Sequence, residues 1–141
     1  MIELPDVGLL FAMLDSGHEH FRLARRWFDA VDQFATTPIT EMGLIRLLMN
    51  PKAATTPLAA SAALSAMSFI KNSRGANFWI DTTPFDQNSR FSYALTGYRQ
   101  ITDLHLLEIA VINGGVLTTL DSKIKPALRP VDRKYVKPLV T

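Results

Sequence analysis

Four apolar, strand-like segments, Ile2 to Asp6, Gln33 to Thr37, Asn77 to Ile80 and Val116 to Leu120, are separated by stretches with helical spacing. That alternation limits the fold more than any other feature, because strands joined through helices pair in parallel and bury both faces of their sheet. Val7 to Leu14 continues as a helix with Leu9, Leu10 and Met13 inward, and Asp15-Ser16-Gly17 breaks it. His18 to Asp32 reads as an amphipathic helix with Phe21, Ala24 and Phe28 on one side. A third helix opens at Pro38-Ile39-Thr40-Glu41 with Thr40 as its cap, and ends at Asn50-Pro51, since proline disfavours the helical state before it. The alanine-rich run from Pro57 to Lys71 suits a packing helix, and Phe85 to Leu95 is predicted as another behind Pro84. Thr102-Asp103 starts a helix whose Leu106, Leu107, Ala110 and Val111 face a core, with Gly114-Gly115 as its stop. The basic, proline-containing tail is predicted to hold one edge strand near Lys134 to Val136. The expected architecture is an α/β layer fold around a mainly parallel sheet.

The chain has 141 residues, 48% of them hydrophobic, which suits one domain over residues 1–141 that buries roughly 70% of its unfolded surface. The absence of cysteine excludes disulfides, thiolate zinc sites and cysteine nucleophiles, and fits a reducing cytoplasm. His18, His20 and His105 are scattered and suggest no histidine metal site. No window approaches the ~20 apolar residues of a membrane span, and no basic leader precedes an apolar stretch, so a secretory signal is not expected. A net charge of +2 permits contact with a polyanion without requiring it.

Asp6, Glu41, Asp103 and Asp121 each stand where an apolar segment meets a polar break. Asp6 and Asp121 end strands, and functional groups in parallel sheets gather beyond the carboxyl ends of strands. Glu41 and Asp103 begin helices, whose amide dipoles favour negative charge. Two readings follow: the four acids cap helices, or they meet in a partly desolvated cluster that needs a hard divalent cation. Magnesium or manganese bound by such oxygens suits phosphodiester cleavage.

The blocks Leu4-Pro5-Asp6-Val7, Thr40-Glu41-Met42-Gly43-Leu44-Ile45-Arg46 with Asn50-Pro51, Gly97 to Leu107, and Gly114 to Asp121 resemble PIN-domain ribonucleases of the VapC toxin type. The resemblance covers essentially the whole chain in order, and its specificity lies in the joint occurrence of the four blocks. It implies a three-layer α/β/α sandwich, RNA cleavage with Mg²⁺ or Mn²⁺ held by Asp6, Glu41, Asp103 and Asp121, homodimerisation, and a partner antitoxin. Members commonly have asparagine where this chain has Gly8, histidine where it has Tyr98, and a further acid near Ser122-Lys123. These departures keep an alternative open, a PIN-fold binding module with weak or lost catalysis. An aspartate-nucleophile phosphotransferase would want a second aspartate at the position of Gly8.

Arg46, Arg99 and Lys123 are candidates for holding the phosphate backbone of a substrate, or else solvated cations. Thr119 and Ser122 are candidates for orienting Asp121 or a bound water. Glu108 and His105 point away from the face of Asp103 by helical geometry and read as surface or packing residues.

Overall fold

A computed structural model describes residues 1–141. Five strands, β1 (Glu3–Pro5), β2 (Phe34–Thr36), β3 (Ala76–Phe78), β4 (Val116–Thr119) and β5 (Val136–Pro138), form one sheet in the order β3-β2-β1-β4-β5. Every pairing is parallel, with Glu3 level with both Phe34 and Val116. The chain therefore builds outward from β1 in one direction through β2 and β3, and in the other through β4 and β5. That reversal opens a crevice between the carboxyl ends of β1 and β4, where parallel sheets hold their ligands.

Alternation along the strands sends side chains to two cores. Leu4, Ala35, Leu117 and Val136 pack on one face with Leu104, Leu107 and Ile109 of α5 (Ile101–Ile112) and with Ile124 of α6 (Ile124–Ala127). Phe34 points the other way, against α1 (Val7–Leu14), α2 (Phe21–Ala30), α3 (Pro38–Met49) and α4 (Ala60–Lys71). Helices thus cover both faces of the sheet, as the α/β/α expectation requires. None of them is long and apolar enough to cross a membrane.

Helix starts follow local hydrogen-bond chemistry. Thr37, one residue past β2, caps α3 through its hydroxyl, and Thr40 returns the favour by accepting the Thr37 amide at 2.9 Å. Thr40 is thus the inner member of a reciprocal capping pair, which corrects its assignment as the cap; such a cap contributes about 1 kcal/mol. Along α3, Gly43 lets the helix approach α1, because a Cβ there would stand 2.8 Å from Val7 Cγ2.

The helix predicted over Phe85 to Leu95 does not form; only a short 3-10 turn at Ser92–Ala94 does. The Ser89 hydroxyl accepts the Asp86 amide at 2.8 Å and donates to the Pro84 carbonyl at 3.1 Å, while the Asp86 carboxylate accepts the Asn88 amide. These side-chain bonds outcompete helical ones, so the segment stays a loop. His105 of α5 anchors the approach to it, with Nε2 2.9 Å from Asp81. The edge strand forms at Val136–Pro138, just beyond its predicted place.

Candidate active site at the carboxyl edge of the sheet

The crevice is built first by Asp6. Leaving β1 in extended geometry, it caps α1: one carboxylate oxygen accepts the Leu9 amide at 2.8 Å, and the other accepts the Thr119 hydroxyl. Only 5% of Asp6 is exposed. Burial pushes its carboxyl up to about 6, with the charge of Asp121 adding to the rise and the two hydrogen bonds opposing it. Asp6 therefore caps α1 and still lines the crevice.

Across the crevice β4 ends at Thr119, which is fully buried. Its hydroxyl donates to Asp6 and accepts the amide of Asp121 at 2.9 Å, so one side chain fixes the spacing of two acids. Asp121 in turn accepts the Lys123 amide at 2.8 Å, closing a turn ahead of α6 rather than capping that helix. Asp103 lies in the first turn of α5, three residues past Gln100, the residue that precedes the helix. Burial, then Asp6, then Asp121 raise its carboxyl to about 7, and no hydrogen bond offsets them.

Asp6, Asp103 and Asp121 line one cleft of about 640 Å³, together with His18, His20 and Arg46. A second cavity of about 260 Å³ shares Asp103 and Asp121 as a wall and adds Arg99 and Lys123 over an apolar floor that includes Leu104 and Ile124. Two acids thus separate an acidic cleft from a space edged by two cations.

Glu41 stands apart. Ile39, Gly43, Arg46 and Leu47 are the α3 residues that line the cleft, and Glu41 lies roughly 200° around the helix from Ile39 at 3.6 residues per turn. Its carboxylate accepts the Thr36 hydroxyl at 2.8 Å and pairs with Lys71 of α4 at 3.0 Å. Ser122 also faces elsewhere, in a surface hollow with Lys125 and Arg133. Sequence reasoning missed the loop between α1 and α2, which brings His18, Glu19 and His20 to the cleft. The signal was two histidines two residues apart at a helix entrance, while the spacing of residues along the chain hid their nearness to Asp6.

No three acidic or histidine side chains stand close enough together to hold one ion among them. The donor chemistry of Asp6, Asp103 and Asp121 nevertheless fits a hard divalent cation: oxygen donors only, sharing one cleft, with two of the three forced towards the neutral form by burial and mutual repulsion.

No protein-family model matches the sequence. Among curated proteins, the chain is 37% identical over 130 residues to ribonuclease VapC39 of Mycobacterium tuberculosis, covering 88% of this chain and 91% of that one. It is 32% identical over 123 residues to ribonuclease VapC38 of the same organism, covering 86% of each. Among solved structures, it matches M. tuberculosis VapC20, a sarcin-ricin loop cleaving toxin, with a TM-score of 0.63 over 89% of this chain and 94% of that one. At 14% identity that likeness shows the fold alone. Whole-length similarity to the VapC ribonucleases, on a parallel sheet shared with VapC20, places this chain in the VapC-type family of PIN-domain ribonuclease toxins.

Proposed function

We propose that this chain is the toxin of a toxin–antitoxin pair, a Mg²⁺- or Mn²⁺-dependent endoribonuclease acting in the cytoplasm through one domain of 141 residues. The observation that carries the site assignment is the meeting of Asp6, Asp103 and Asp121 in one cleft at the point where strand order reverses. In this reading the three aspartates would draw together to hold the ion, which when bound would supply Lewis-acid chemistry to phosphodiester hydrolysis. Water is the nucleophile, since no serine, cysteine or histidine is arranged as a nucleophile–base pair in the cleft.

Thr119 keeps Asp6 and Asp121 in register and, being buried, acts through them rather than on RNA. Arg99 and Lys123 hold the phosphate backbone beside the acids, and Arg46 does so within the cleft. Ser122, turned towards Lys125 and Arg133, extends that basic margin. Glu41 joins as a fourth ligand only by leaving Lys71. The antitoxin is expected to lay a segment across the cleft and offer a basic side chain to the acids. Homodimerisation rests on family membership, and the half-exposed Phe69 and Phe78 supply apolar surface for it.

A binding module with weak catalysis is the second reading, favoured by the Glu41–Lys71 ion pair and by the absence of a ready-made three-donor cage. RNA incubated with Mg²⁺ or Mn²⁺ separates the two. The parent cuts RNA, Asp103→Asn loses about 100-fold or more in kcat/KM, and Glu41→Gln loses less than about tenfold. Equal cleavage by parent and Asp103→Asn overturns the assigned site, and RNA binding without cleavage by the parent selects the binding module.

A further inference from the structure

The loop that sequence reasoning missed is held firmly for an exposed connection. Asp15 accepts both the amide and the hydroxyl of Thr55, at 3.2 and 3.1 Å, tying the end of α1 to the segment after α3. The His18 amide donates to the Asp15 carbonyl at 2.9 Å, and the His18 carbonyl accepts the Phe21 amide that opens α2. The His18 ring stands edge-on to Phe11 of α1, with centroids 6.0 Å apart.

The decisive bond is within the loop. His18 Nδ1 lies 3.0 Å from the His20 amide. A backbone amide only donates, so Nδ1 accepts, and the neutral ring carries its proton on Nε2. Nε2 has no partner in the chain, and His18 lines the cleft that holds Asp6, Asp103 and Asp121. His20 is less free, its own Nε2 lying 3.7 Å from Glu19. Arg46 is the only arginine or lysine among the residues that line this cleft.

Four carboxylates, the three aspartates and Glu19, repel a phosphodiester, so a strand entering the cleft needs donors besides the ion. Resting on the ribonuclease reading above, we infer that His18 is a substrate-positioning residue whose Nε2–H donates to a phosphate oxygen of the RNA strand in the cleft, beside the charge of Arg46.

The test uses three substitutions at one site. His18→Asn keeps an acceptor for the His20 amide and removes the Nε2–H donor; His18→Ser does the same with a hydroxyl. His18→Gln extends an N–H donor towards the place of Nε2. Binding of a short fluorescein-labelled single-stranded RNA is read by anisotropy in the Asp103→Asn background, and kcat and KM are read in the parent background. His18→Asn and His18→Ser are expected to weaken binding about tenfold and raise KM similarly, with kcat within about threefold, while His18→Gln regains part of the loss. Melting temperatures check that each variant is folded, and either the Asn or the Ser variant alone suffices. Unchanged affinity in a folded variant overturns the inference even when the parent cleaves RNA. Affinity that responds to His18 in a chain whose parent does not cleave RNA overturns the nuclease reading and leaves the inference standing. A chain that binds no RNA overturns both.

Discussion

Replacing Asp103 by asparagine should make the metal-free protein more stable at pH 8, and by only about a quarter as much at pH 4.5. The folded carboxyl titrates at about 7 against an ordinary 3.8, raised by burial and by Asp6 and Asp121. A raised acid favours its neutral form in the fold, so the folded chain binds more protons than the unfolded one between about pH 4 and pH 7. Stability from this group therefore falls as pH rises through that window, and the loss is complete above the folded value. A rise of about three pH units corresponds to roughly 4 kcal/mol at about 1.36 kcal/mol per unit. Asp6, raised to about 6 by burial and by the charge of Asp121, adds a loss of the same sign to both proteins. Asparagine fits the same space without charge, so Asp103→Asn should gain about 2–4 kcal/mol at pH 8, or roughly 6–12 °C in melting temperature for a chain of this size. The assay is urea or thermal unfolding of both proteins in chelator from pH 4.5 to 8, read as the difference between them. The difference matters because Glu3 and Asp15, whose carboxyls are lowered despite burial by hydrogen-bonding neighbours, shape the acid limb of both curves alike. A flat difference across the range, or an advantage for the parent at pH 8, refutes the claim that these acids repel one another in a shared desolvated site.

Thr119→Val should cost about 1–3 kcal/mol, since it strips a buried hydrogen bond from each of Asp6 and Asp121, and should abolish RNA cleavage, while Thr119→Ser retains most of both. Chemical denaturation and an RNA-cleavage assay read the two effects. Gly43→Ala should destabilise the parent, as the new methyl meets Val7, yet stabilise a Val7→Ala chain by about 1 kcal/mol through helix propensity. A double-mutant cycle with no change of sign would show that α3 does not press on α1 there.

The errors of sequence reading have particular causes. Over Asp86 to Ser89, composition suits a helix, but side chains bond the neighbouring backbone and hold a loop. At Glu41 the helix was correct, with its cap three residues earlier than expected, and the expected convergence still does not occur, because each residue turns the side chain by roughly 100°. A position two residues from Ile39 thus faces Lys71 instead of the cleft. His18 and His20 were passed over because eleven and thirteen residues of intervening helix and turn separate them from Asp6 in a linear reading, and folding α1 back brings them to the same space.

By itself the sequence determined the strands, nearly all the helices, the parallel layering between them, and the placing of Asp6 and Asp121 at strand ends. Those follow from hydrophobic period, capping chemistry and the need to bury both faces of a sheet, all of which are local or statistical. Only the tertiary structure decided which acids share a cleft, that Thr119 links two of them, and that a histidine donor lies beside them. Those depend on strand order and helix rotation, which arise from packing between distant segments and leave no short-range mark on the chain.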